Sequence, residues 1–228
     1  MDNLYNLLHE VKENPVPYLG KPSLNCLHLF LIGYLSTRFE LELDREGTIL
    51  DGFQEWIQER AKTHVSQSWA GIILFICGSE RSAFYSFFEL VDEFLSKKEI
   101  LSSKNISEKI VKVNKDNLRT LSELLAGIKK RPGMYLGTSS ITNLDMVLRG
   151  RNLALRELGV APTEEEREFE DFQAWIQKRY GINSGQSWAK IILFFSMDEH
   201  EALERFFELF EEFLNRDKSS ELIAKTSH

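Results

Sequence analysis

Closely spaced carboxylates are the first groups in this sequence that could do chemistry. Glu89, Asp92 and Glu93 lie within one helical turn of each other, and Glu208, Glu211 and Glu212 repeat the arrangement 119 positions later. Two such groups facing one substrate could serve as general acid and base. The same spacing puts them on the polar side of an amphipathic helix, and no nucleophile, metal-ligand set or phosphate loop accompanies them. They read as a solvated face. The five His do not recur between the halves of the chain, and no pair of them has ligand spacing on a helix. No cofactor and no metal is expected. Cys26 and Cys77 align with Asn143 and Ser196, so neither is part of a repeated scaffold, and both read as buried reduced thiols.

These residues sit within a tandem repeat. FQEWIQER at Phe53 to Arg60 returns as FQAWIQKR, SQSWAGIILF at Ser66 to Phe75 as GQSWAKIILF, and FFELVDEFL at Phe87 to Leu95 as FFELFEEFL at Phe206 to Leu214. With 228 residues, the repetition divides the chain into residues 1–98, a basic connector at 99–118, a second copy at 119–216 and a tail at 217–228. Apolar residues recur at helical spacing throughout, which predicts an all-α protein of two tandem homologous domains with four to five helices each. Leu4, Leu7, Leu8 and Val11 precede Pro15 as Leu121, Leu124, Leu125 and Ile128 precede Pro132, and a Pro-x-x-Tyr-Leu-Gly turn closes each first helix. Ser23, Ser68 and Ser187 read as helix caps, and Asp51 with Gln54 has capping-box spacing. The IILF runs read as helix with a buried strand as the alternative, because short apolar runs do not declare their period. The repeated Trp56, Trp69, Trp175 and Trp188 read as core anchors.

Charge separates the segments. Residues 1–95 carry seven Lys/Arg against fourteen Asp/Glu, 96–118 six against three, and 119–214 twelve against sixteen. Two acidic copies disfavour tracking of phosphates, so no nucleic acid is expected, and a basic protein partner suits the charge better. The acids gather before the FQ-x-WIQ helix in both copies, as ELELDREGTILD and TEEEREFED. Read as variable surface loops, these supply the candidate partner-binding residues Glu40, Glu42, Asp44, Glu164, Glu165, Glu166 and Glu168. The competing reading is that they solvate a loop and favour the N-terminus of the next helix. No apolar run reaches the roughly 18–20 residues of a membrane span and the first residues lack signal-peptide character, so a cytoplasmic protein without membrane contact is expected.

KKRPGMYLG at Lys129 to Gly137 resembles a stretch near the start of the ATPase domain of the DNA gyrase B subunit. The Asp-x-Gly-x-Gly adenine loop of those enzymes is missing, and ATP binding is rejected. Taken together, the RPGMYLG turn, the FQ-x-WIQ-x-R helix, the SWA-x-II segment and the FFEL-x-x-EFL helix resemble a family of small bacterial proteins of one repeat length. Most of that family is of unassigned function, and some members look like immunity proteins that neutralise a toxin. The resemblance implies a non-enzymatic module that neutralises a toxin, and joined to the acidic charge it makes a basic protein, a nuclease toxin above all, the leading candidate partner. A regulatory or adaptor protein with another cytosolic partner is the alternative. A hydrolase is the weaker one, its pocket built around Tyr18/Tyr135, Gln54/Gln173, Arg60/Arg179, Gln67/Gln186 and Ser68/Ser187. The first copy, with NPVPYLG, departs from the pattern at its basic and Gly positions.

Overall fold

The computed structural model describes residues 3–43, 47–101 and 117–216. Asp44, most of the basic connector and the tail at 217–228 lie outside the described residues. Among those described there are twelve helices and no strand, so the protein is all-α. They are α1 (Asn3–Glu13), α2 (Val16–Leu19), α3 (Leu24–Glu40), α4 (Phe53–Arg60), α5 (Trp69–Cys77), α6 (Glu80–Leu101), α7 (Leu121–Lys130), α8 (Pro132–Leu136), α9 (Ile141–Glu157), α10 (Glu164–Tyr180), α11 (Trp188–Phe194) and α12 (Glu199–Leu214).

Each repeat thus contributes six helices rather than four to five. The difference lies in the Pro-x-x-Tyr-Leu-Gly segments, which are single helical turns in their own right: Pro15 precedes α2 and Pro17 is its second residue, and Pro132 is the first of α8. Gly20 and Gly137 end them with φ of 74° in both, a left-handed conformation that favours a residue without Cβ. Both IILF runs are helical, in α5 and α11. Two compact units emerge: residues 1–118 together with 146–154, and residues 119–145 together with 155–228.

In unit 1 the core is aromatic. Phe53, fully buried, has ring centroids of Trp56, Trp69, Phe87 and Phe94 at 5.8, 5.7, 5.7 and 5.4 Å. Large rings at these separations lock α4, α5 and α6 together, beyond their area burial, by edge-to-face contacts. Helix α3 is apolar on most sides and correspondingly buried through Leu24, Leu27, Phe30, Leu31 and Tyr34. Its Gly33 and the Gly150 of the 146–154 segment allow a very close helix crossing inside this unit. A Cβ on Gly33 would stand 2.0 Å from the Val147 carbonyl oxygen, and one on Gly150 2.0 Å from that of Phe30.

Unit 2 repeats the aromatic hub. Phe172 has Trp175, Trp188, Phe206 and Phe213 around it at 5.9, 6.0, 5.7 and 5.4 Å. Leu203, Phe206, Phe210 and Phe213 of α12 form its buried stripe, with Glu208, Glu211 and Glu212 off it, so the carboxylates sit where the helical period places them.

Candidate partner-binding surface

The polar residues shared by both copies hold helices in place. Trp69 N–H donates to Gln54 Oε1 at 2.6 Å while Gln54 Nε2 donates to the Gln67 carbonyl at 3.1 Å. Gln173 makes the same two bonds, at 2.6 and 3.1 Å, to Trp188 N–H and the Gln186 carbonyl. One amide side chain thereby satisfies an orphan donor at the start of the following helix and an acceptor in the loop before it. The capping role expected of Gln54 is therefore displaced: Gly52, at φ 84°, is the N-cap of α4 and no side chain caps it. Ser68 and Ser187 do cap, accepting from Gly71 N–H at 3.2 Å and Lys190 N–H at 3.3 Å. Ser23 and Ser140 donate to Glu80 and Glu199 at 2.9 and 2.8 Å, tying α3 to α6 in one unit and the start of α9 to α12 in the other.

The carboxylate sets are occupied in the same structural way. Arg60 lies over the Trp56 ring, 5.4 Å from its centroid, and binds Glu93 at 2.7 Å; Arg179 lies over Trp175 at 5.8 Å and binds Glu212 at 2.9 Å. The Lys97 hydrogen bond first, and the nearby Arg60 charge with it, hold the Glu93 carboxyl below its usual range. Tyr18 donates to Glu10 at 2.7 Å. A groove of about 330 Å³ between α7 and α12 is lined by Leu125, Lys129, Phe207, Phe210, Glu211 and Leu214 among others, and by none of the shared polar residues. Among the described residues no group of three His, Cys, Asp or Glu could hold a metal ion, and no helix is long and apolar enough to cross a membrane.

The acidic candidates are not all loop residues. In the second copy they form the first turns of α10, with Thr163 and Glu166 as a reciprocal capping box. Ser122 donates to Glu165, and Arg216 binds Glu168 at 2.9 Å. Glu164 is exposed, as are Glu170 and Asp171 further along the helix. Three acids in a first turn are favoured by the partial positive charge of the helix N-terminus. In the first copy, Glu40 ends α3 and Glu42 accepts from Asn117 Nδ2 at 2.9 Å. Asp44 lies outside the described residues, so the seven candidates are not seen as one cluster.

A different surface was hidden inside the IILF runs. Phe75 is 88% exposed and its counterpart Phe194 77%, although Ile72, Ile73, Ile191 and Ile192 beside them are buried. Next to them Ile76 is 65% and Met197 91% exposed. Phe195 is half covered by Tyr180, stacked on it at 4.6 Å, and meets Phe194 edge-on at 5.1 Å. A helical wheel carries the signal that the apolar run concealed. Lys190 and Phe194 are four residues apart and share the outward face, as Gly71 and Phe75 do. Of the two cysteines, Cys26 is buried, whereas Cys77 is half-buried at this end of α5. No protein-family model, curated protein or solved structure matches this chain.

Proposed function

We propose that the protein is a non-enzymatic module that binds a basic protein partner, and that its particular task is to neutralise a toxin of the nuclease kind. The observation that supports binding is the pair of large apolar side chains, Phe75 and Phe194, left in solvent at corresponding positions of both copies. A residue kept for the core would be covered. Removing such rings from water against a partner supplies affinity on the scale of an interface anchor. The shared Gln and Ser clamps fix the bases of α5 and α11, so the rings are presented from rigid helices at little entropic cost. The acids at the start of α10 and the end of α3 would add long-range attraction for a basic partner and speed its approach. The toxin component rests on the family resemblance and the acidic balance.

Co-expression with the product of the adjacent reading frame tests this reading. The expected result is growth arrest by the neighbour alone, relief by this chain, and a complex that survives gel filtration. A harmless neighbour that forms no complex, or hydrolysis by the purified chain that is lost on changing Gln54 or Gln173 in a folded variant, would overturn it.

A further inference from the structure

The two exposed patches share a shape and differ in their rims. Position for position, Gly78, Ser79, Ser82 and Tyr85 in the first copy stand where Met197, Asp198, Glu201 and Glu204 stand in the second. The local backbone role is retained: Ser79 accepts from Ser82 N–H at 3.2 Å, and Asp198 accepts from His200 and Glu201 N–H at 2.9 and 2.8 Å. A cap therefore needed no acid here, and Glu204, whose side chain is 67% exposed, faces His200 Nε2 at 3.6 Å and makes no bond to the turn's backbone. Glu201 accepts from Met197 N–H at 2.6 Å, which places a carboxylate beside a methionine that is 91% exposed. The second patch also carries two cations that the first lacks, Lys190 in place of Gly71 and Arg205, which donates to the Phe195 carbonyl at 2.7 Å, in place of Ser86. The first patch has Arg81 lying 5.8 Å from the centroid of Tyr85 at its edge.

From this we infer that the second copy carries the partner's seat: Phe194, Phe195 and Met197 take an apolar side chain of a basic protein, and Asp198, Glu201 and Glu204 take the Lys or Arg residues flanking it. The inference rests on the proposal of a basic protein partner and says which face meets it. An apolar centre with a charged rim is the arrangement in which buried rings supply affinity and rim charges supply selection and on-rate. The first patch lacks the acids, so it does not select for positive charge.

Fluorescence anisotropy on the full chain decides it. The probe is a labelled amphipathic helical peptide of about 18 residues, five turns, with Leu and Phe on one side and Lys and Arg on the other. Its twin carries Glu in place of Lys and Arg, and vesicles of phosphatidylcholine with phosphatidylglycerol form a third arm. The cationic peptide is expected to bind the unchanged protein, and the double variant Phe194→Ser, Met197→Ser to bind it at least about tenfold more weakly. Glu201→Gln with Glu204→Gln, which keeps the acceptor for Met197 N–H, should weaken binding and flatten its salt dependence. Phe75→Ser, in the patch without the acids, should weaken it several-fold less than the double variant. Phe75, Phe194, Met197 and Glu204 are exposed and Glu201 is half-buried, and an unaltered melting temperature shows that each variant is folded. Equal binding of the acidic twin, an equal loss with Phe75→Ser, binding of the vesicles, or no binding of the cationic peptide each overturns the seat. The co-expression complex is a separate readout: a complex insensitive to Phe194→Ser, Met197→Ser removes this face and leaves the wider reading standing.

Discussion

His28 offers a pH test of the packing that holds α5. Its ring meets Trp69 edge-on at 4.9 Å, and burial pushes its pKa down from 6.5 to about 4. The folded state therefore favours neutral imidazole. Above pH 6.5 neither state binds the proton; as pH falls below that value the unfolded chain takes it up and the folded one does not, so stability falls. The loss is complete near pH 4, where both states are protonated. At about 1.4 kcal/mol per unit of pKa difference, roughly 3 kcal/mol is lost across the whole window, and about 2 kcal/mol of it by pH 5. For a chain of this length that is a drop of about 4–8 °C in melting temperature between pH 7.5 and pH 5. His28→Phe keeps a ring against Trp69 and removes the titration. Calorimetry of both proteins at the two pH values should show the parent losing several degrees more than the variant. Equal shifts in the two would refute the claim that a half-buried, neutral His28 underlies the acid sensitivity.

Changes at four further sites probe the scaffold. Gln173→Ala removes the bonds to Trp188 N–H and the Gln186 carbonyl and should cost about 1–3 kcal/mol in urea unfolding; Gln173→Glu, which keeps the acceptor, should cost less. Gly150→Ala sets a methyl 2.0 Å from a backbone oxygen that no rotamer change can move, so it should destabilise by about 1–3 kcal/mol despite the better helix propensity of Ala. Gly71→Ala, where the nearest atom is the Gln67 amide oxygen at 3.3 Å, should be neutral or stabilise by up to about 1 kcal/mol. Arg179→Met, at a pair with both side chains near half exposure, should change stability by less than about 1 kcal/mol in the same assay.

The helical class was legible because the apolar positions of α1, α7 and α12 repeat at 3.6 residues, and the caps at Ser23, Ser68 and Ser187 are local signals that tertiary packing did not override. Asp51 and Gln54 had the spacing of a capping box, yet Gln54 serves a loop 13 residues away, a long-range bond that spacing cannot report. The run TEEEREFED looked like a loop because charged residues crowd it. Its first residue, Thr163, with Glu166 three positions on, was the capping signature that makes it the start of α10. The exposed Phe75 and Phe194 were the largest omission. In an unbroken apolar run the outward residue has the same composition as its buried neighbours, and only the helical phase relative to Lys190 separates them.

Photo-crosslinking from position 194 is the most direct test of a protein partner on this face. Benzoylphenylalanine in place of Phe194, in the full chain expressed in its native cell, places the reactive ring where the partner's apolar side chain would sit. The account predicts a covalent adduct with a protein whose crosslinked peptide carries Lys or Arg on both sides of an apolar residue, and a markedly lower yield from the same probe at position 75. No adduct from position 194, or an equal yield of the same adduct from position 75, would contradict it.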